Sequence, residues 1–167
     1  MTLTLILTRH AKSSWDDPAL DDFDRSLARR GRKSAPLIAR WLVERGYVPE
    51  VVVVSGARRT VETWEGMASA MPEAAVLERN TALFHASAST ILGVLRAQAA
   101  PRVMLIGHNP GFADFANRIV AQPPRHDRFH DYPTAATAVI EFDAESWALV
   151  RWGSGRVLDF VVPRELK

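Results

Sequence analysis

Leu3-Thr4-Leu5-Ile6-Leu7-Thr8-Arg9-His10-Ala11 is an apolar run that ends abruptly in a basic pair. The run reads as a buried β-strand, and the pair marks where the chain leaves it. A guanidinium presents a planar fork of donors that matches phosphoryl oxygens, and a neutral imidazole is a nucleophile that titrates near physiological pH. Taken alone, the pair is more readily read as an ordinary strand ending.

Two later stretches repeat the pattern. Val51–Val54 runs into Ser55-Gly56-Ala57-Arg58-Arg59-Thr60-Val61-Glu62-Thr63, and Val103–Ile106 runs into Gly107-His108-Asn109-Pro110-Gly111. Three β-type runs thus each deliver Arg or His to the loop that follows. Open α/β sheets build their sites in this way, at the carboxyl ends of parallel strands. Between the runs, Ala35, Ile38, Trp41 and Leu42 keep helical spacing up to Gly46, and Pro36 either starts that helix or bends it. Helices are expected over 57–70, over 88–99 and from Gly111, where Phe112, Phe115, Ala116, Ile119 and Val120 form one stripe. Strands are expected at 135–142 and 147–152, joined by a hairpin at Asp143–Ser146, with a further one at 157–162. The fold class is α/β, a mainly parallel sheet covered by helices on both faces. Gln122–Thr134, polar and proline-bearing, is the one long irregular stretch and is expected to overhang the site.

The motifs resemble those of the histidine phosphatase superfamily, the branch with a short Arg-His-Gly type motif, and within it the compact SixA-type phosphohistidine phosphatases. The resemblance extends from Leu3 to about Phe142, through Leu5–Ser13, Asp24–Gly31, Ser55–Thr63, Leu83–Ser87, Gly107–Gly111 and Pro133–Phe142. It implies a phosphoglycerate mutase-like, three-layer α/β/α sandwich. It also implies His10 as nucleophile, Arg9 and Arg59 as phosphate ligands and His108 as the second histidine of the pocket. The spacing Ser, three residues, Arg, three residues, Thr falls on Ser55, Arg59 and Thr63 and leaves Arg58 out. Ala11 departs from the family's usual glycine, and no counterpart is evident for the acidic proton donor of the larger mutases and acid phosphatases.

The residues bear independent readings. Arg59 falls in the first turn of a helix, whose free N–H groups and dipole already favour an anion, while Arg58 points about 100° away and reads as a surface residue. Ser55 reads as a helix cap or a phosphate donor, and Thr63 as a buttress or an ordinary inward threonine. His10 needs one ring nitrogen tied to an acceptor, such as a backbone carbonyl, to leave the other free, and the charges of Arg9 and Arg59 are expected to keep it neutral. His85 reads as edging the pocket or simply bordering the core. His126 and His130 are four apart, yet no glutamate follows the first and no third ligand is evident, so no metal and no cofactor are expected. Asp16, Asp17, Asp21 and Asp22 read as a solvated loop and Glu78 as the close of a short strand.

At 167 residues and 47% hydrophobic composition the chain supports one core, so a single domain over 1–167 is expected. No uninterrupted apolar stretch approaches membrane-spanning length, Met1 leads straight into a strand, and cysteine is absent. A soluble, cytoplasmic enzyme without a membrane partner is expected. The net charge is +2, with Arg25, Arg29, Arg30, Arg32 and Lys33 clustered. That cluster reads as a solvated face or as a dock for an acidic partner, and the lack of interleaved aromatics speaks against nucleic acid. The expected activity is a metal-independent phosphatase acting through a phosphohistidine intermediate, on a protein phosphohistidine or on a small phosphorylated metabolite. A phosphate-recognising module without turnover is the reading from outside enzymology.

Overall fold

A computed structural model describes residues 2–167. In chain order the main elements are β1 (Thr2–Arg9), α1 (Arg29–Glu44), β2 (Val51–Val54), α2 (Arg58–Ala68), β3 (Val76–Arg79), α3 (Ala88–Arg96), β4 (Arg102–Gly107), α4 (Gly111–Ile119), β5 (Thr137–Asp143) and β6 (Arg156–Val161). The six strands form one sheet in the order β3-β2-β4-β1-β5-β6. β1 to β4 are mutually parallel, and β5 is antiparallel to both of its neighbours. The sheet is therefore mainly parallel, as the alternation of strand and helix required.

Side chains along β1 divide between two cores. Leu3, Leu5 and Leu7 pack with α3 and α4 on one face, while Ile6 packs with α1 and α2 on the other. Burial on both faces is why β1, β2 and β4 are nearly continuous apolar runs. Register then places the site: Arg9 lies opposite Gly107 and Val54 opposite Ile106, so the three central strands finish level at their carboxyl ends. No helix among the described residues is long and apolar enough to cross a membrane.

α1 runs through Pro36 rather than starting there. Pro36 lies where α1 meets α2: a Cβ added to Gly66 would come 3.0 Å from the Ala35 Cβ and 3.8 Å from the Pro36 Cδ. Gly31 serves the same purpose nearer the site. A Cβ there would fall 2.2 Å from the Lys12 carbonyl oxygen, which also accepts the Ala28 N–H at 2.8 Å. The absence of a side chain lets α1 press on the backbone that follows His10.

The strand expected at 147–152 does not form. Trp147–Leu149 is a 3-10 turn, and β5 pairs instead with β6. The burial pattern explains it. Trp147 and Val150, three residues apart, are 1% exposed, whereas Leu149 between them is 61% exposed, which is helical rather than alternating spacing. The segment is fixed against the α3–β4 side, with Trp147 Nε1 donating to the Ala100 carbonyl at 2.6 Å and Arg96 donating twice to the Val150 carbonyl.

Candidate active site

The chain leaving β1 is clamped from both sides. His10 N–H donates to the Gly107 carbonyl at 3.0 Å, and Ala135 N–H lies 3.1 and 3.0 Å from the Arg9 and His10 carbonyls. The His10 side chain is 6% exposed, with Nδ1 2.7 Å from the Ala11 carbonyl. A carbonyl can only accept, so Nδ1 carries the proton and Nε2 keeps its lone pair. Ala11 does not enter the positive-φ region, so the alanine is compatible with this turn, and its N–H donates to Thr63 Oγ1 at 3.0 Å. Thr63 in turn donates to the Arg59 carbonyl at 2.7 Å. With its one proton committed there, Thr63 is a strut between α2 and the residue after His10.

Arg59 is 4% exposed in the first turn of α2, and its Nη atoms donate to the Asp22 carbonyl and to Asp22 Oδ2 at 2.5 and 3.1 Å. Arg58, one residue earlier, lies outside in an exposed pair with Glu62 at 3.1 Å. Arg9 reaches the Tyr132 carbonyl at 3.3 Å. That carbonyl also accepts from Asn109 Nδ2 at 2.9 Å, while the Tyr132 hydroxyl donates to the Leu7 carbonyl. The end of the 122–134 stretch is thereby an anchored wall of the site: Tyr132 and Phe129 are buried and Asn109 ties it to α4.

His108 stands beside His10, with ring centroids 5.3 Å apart, and Phe84 packs edge-on against it. Its Nε2 lies 2.6 Å from Ser55 Oγ. The hydroxyl chain behind sets the direction of that bond. Thr60 donates to the Ala57 carbonyl at 2.7 Å, which leaves its oxygen to accept from Ser55 at 2.9 Å. Ser55, its proton spent, accepts from the Ala57 N–H and from His108 Nε2. Ser55 is thus the partner of His108 as well as of the chain entering α2, a pairing across 53 residues that local spacing does not reveal.

Both histidines are held far below the ordinary imidazole range, to about 3. For His10 the first cause is burial, opposed by the Ala11 carbonyl and reinforced by Arg9, Arg59 and Arg25. The charges of Arg9 and Arg59 act in the expected direction and come second to desolvation. For His108 burial again leads, followed by the charges of His10, Arg59 and His85, with Asp22 opposing. Both rings are neutral at physiological pH. Among the described residues, the buried side-chain nitrogens and oxygens without a hydrogen-bond partner are Arg9 Nε, Arg59 Nε and His108 Nδ1. All three belong to residues that the sequence marked.

Asp22 belongs to the site although it reads as part of a solvated loop. Beyond its contacts to Arg59, it pairs with Arg25 at 3.0 Å and lies 3.7 Å from His85 Nε2. Burial works against its charge, but the bonds and charges of Arg25 and Arg59 outweigh it and hold the carboxyl below its ordinary range. Arg25 likewise leaves the basic surface cluster: it is 7% exposed and donates to Ser13 Oγ at 2.8 Å. His85 is largely exposed at positive φ on the rim. His126 is engaged at both ring nitrogens, with Glu165 at 2.9 Å and the Arg128 N–H at 3.1 Å, while His130 is exposed.

Comparison with known proteins agrees with this architecture. Residues 5–83 match the histidine phosphatase superfamily (branch 1). A crystal structure assigned as the phosphohistidine phosphatase SixA of Agrobacterium tumefaciens is 30% identical with a TM-score of 0.77, over 96% of this chain and 98% of that one. A second structure with the same assignment, from Nakamurella multipartitia, is 25% identical with a TM-score of 0.79 over 98% and 97% of the two chains. An uncharacterized chloroplastic protein of Arabidopsis thaliana is 31% identical over 128 residues, 69% of this chain, which spans 58% of the length of that relative. The chain belongs to the histidine phosphatase superfamily, a class of phosphate-ester hydrolases with the phosphoglycerate mutase-like fold. Within it the protein is of the SixA type.

Proposed function

We propose that the protein is a metal-independent phosphatase that uses His10 as nucleophile and releases phosphate from phosphohistidine carried on a protein. The observation that carries the reading is a histidine with a free Nε2 lone pair that feels the charges of Arg9 and Arg59 and has the His108 ring 5.3 Å away, each of these three neighbours carrying a buried nitrogen without a partner. Buried polar groups are ordinarily paired, and a cluster that is not is suited to a charged ligand. In the first step His10 Nε2 attacks phosphorus in line, the bond from phosphorus to the leaving nitrogen breaks, the substrate imidazole departs neutral because its other ring nitrogen carries a proton, and the phosphoryl group rests on His10. Arg9 and Arg59 hold the equatorial oxygens as charge spreads over them, while His108 Nδ1 takes a hydrogen bond from an oxygen that carries a proton. In the second step water attacks phosphorus, the bond to Nε2 breaks, and inorganic phosphate leaves with His10 neutral again.

Phosphohistidine suits this site because its leaving group needs little help. Imidazole has a conjugate-acid pKa of about 6.5, whereas an alkoxide needs a proton donor. Asp22, the carboxyl group beside Arg59, is held ionised by Arg25 and Arg59 and has no proton to give at neutral pH.

The test is to quench the enzyme during turnover in a chelating buffer. An acid-labile, base-stable phosphoryl group is expected on the wild type and absent from His10→Ala. Label persisting in the variant, or activity lost to chelation and restored by zinc, would overturn the reading.

A further inference from the structure

Beside the site, on the Arg9 side, lies a cavity of about 630 Å³ bounded by the loop after β1, the start of α1, the 128–134 stretch and the C-terminal turn at Pro163–Glu165. Five of its ten lining residues are cationic (Arg9, Lys12, Arg30, Arg128 and Arg164), and none is acidic. Arg128 is neutralised by Asp131 at 3.1 Å. The Lys12, Arg30 and Arg164 side chains make no ion pair or hydrogen bond with any described residue. The cavity flanking the other side of the site, about 410 Å³ between His85 and Asp114, contains no lysine or arginine. Lysine and arginine therefore line the flanking cavity on the Arg9 side and not the one on the His85 side.

This arrangement works against the local fold. Arg30 sits in the first turn of α1, which carries no acidic residue and no side-chain cap, so cations face the positive end of the helix dipole. Helix formation alone would select the opposite charge at these positions.

Resting on the phosphohistidine reading above, we infer that this cavity receives an acidic peptide segment next to the phosphorylated residue, with aspartate or glutamate carboxylates paired to Lys12, Arg30 and Arg164. The distribution of the cations favours an extended segment over a compact second phosphate. They come from separate stretches of chain, and Arg30 and Arg164 are exposed at the opening rather than converging on one buried point. Pro133, Val162 and Pro163 supply apolar lining for the segment's backbone.

The experiment compares two phosphohistidine peptides of equal length, one flanked by aspartate and glutamate and one by alanine and glutamine, with p-nitrophenyl phosphate as a substrate that carries no carboxylate. The wild type should prefer the acidic peptide by about tenfold in kcat/KM, mainly through KM, and the preference should shrink as salt rises. In Arg30→Glu/Arg164→Glu the preference should vanish while p-nitrophenyl phosphate is turned over as before. Because both arginines are exposed and unpaired, Arg30→Gln and Arg164→Gln give milder variants, each expected to lose part of the preference. Equal kcat/KM for the two peptides in the wild type would overturn the inference and leave the phosphohistidine reading intact. So would a charge-reversed variant that slows all three substrates alike. Failure to hydrolyse either peptide by enzyme active on p-nitrophenyl phosphate would remove the phosphohistidine reading and the inference with it.

Discussion

Arg58 and Arg59 are adjacent in sequence and opposite in circumstance. Arg59 is fixed by Asp22 and presents an unpaired Nε inside the site, whereas Arg58 lies in an exposed pair with Glu62. Arg59→Ala should therefore cost about 2 to 4 kcal/mol of transition-state stabilisation, the scale of losing a preorganised charge contact. Arg58→Ala removes a surface ion pair worth no more than about 1 kcal/mol and should leave kcat/KM nearly unchanged. Steady-state kinetics on one aryl phosphate decides, and equal losses would show that both arginines serve the reaction. The distinction between the two was legible from helical phase and motif spacing. The partner of Arg59 was not, because Asp22 lies 37 residues away and its local sequence is that of an exposed loop.

At the scale of elements, the runs that proved easiest to read are those buried on both faces, Val52–Val54 and Val103–Ile106 among them, since a short apolar run bounded by turn residues suits a central strand. The segment around Trp147 misled because a short apolar stretch carries too few residues to separate alternation from helical spacing, and its tertiary contacts with Ala100 and Arg96 settle the matter. The junction of α1 with the loop after His10 offers a test of how the scaffold sets the site. Gly31→Ala would drive a methyl group into the Lys12 carbonyl, and the backbone must shift; a loss of about 1 to 3 kcal/mol in stability, with a fall in kcat, is expected. Gly93→Ala is the control. Gly93 is exposed within α3 with nothing within 4 Å of an added Cβ, so the exchange should stabilise the fold by about 0.5 to 1 kcal/mol and leave kcat alone. Denaturant unfolding and kinetics on both variants would expose an error if the two behaved alike.

Across the whole molecule, the phosphatase reading depends on a site in which, among the described residues, cations gather about the nucleophile and the nearby carboxyl group is held ionised. Asp22, the acid placed nearest to Arg59, is committed to two arginines. Rates on phosphate esters should consequently fall steeply as the leaving group becomes more basic, with aryl phosphates and phosphohistidine well ahead of alkyl phosphates. A kcat/KM series across phenols and alcohols measures the slope. A flat dependence, together with an Asp22→Asn variant that selectively loses the alkyl esters, would identify a proton donor and shift the reading toward a phosphomonoesterase of small metabolites.

The hydroxyl relay from His108 through Ser55 and Thr60 to the Ala57 carbonyl has a consequence for how turnover ends. With Nε2–H committed to Ser55, the neutral ring turns a lone pair toward the oxyanion, so phosphate in its doubly charged form meets repulsion at one corner unless a proton accompanies it. Because burial keeps the His108 ring neutral at physiological pH, a dianion bound there on the phosphatase reading brings a proton with it. Above phosphate's second ionisation, inhibition by inorganic phosphate should weaken about tenfold per pH unit, and a Ki that stays level over that range would contradict the relay's direction. Bound phosphate is then held more tightly in acid than in alkali, so the ambient proton supply sets how fast the spent product clears the pocket.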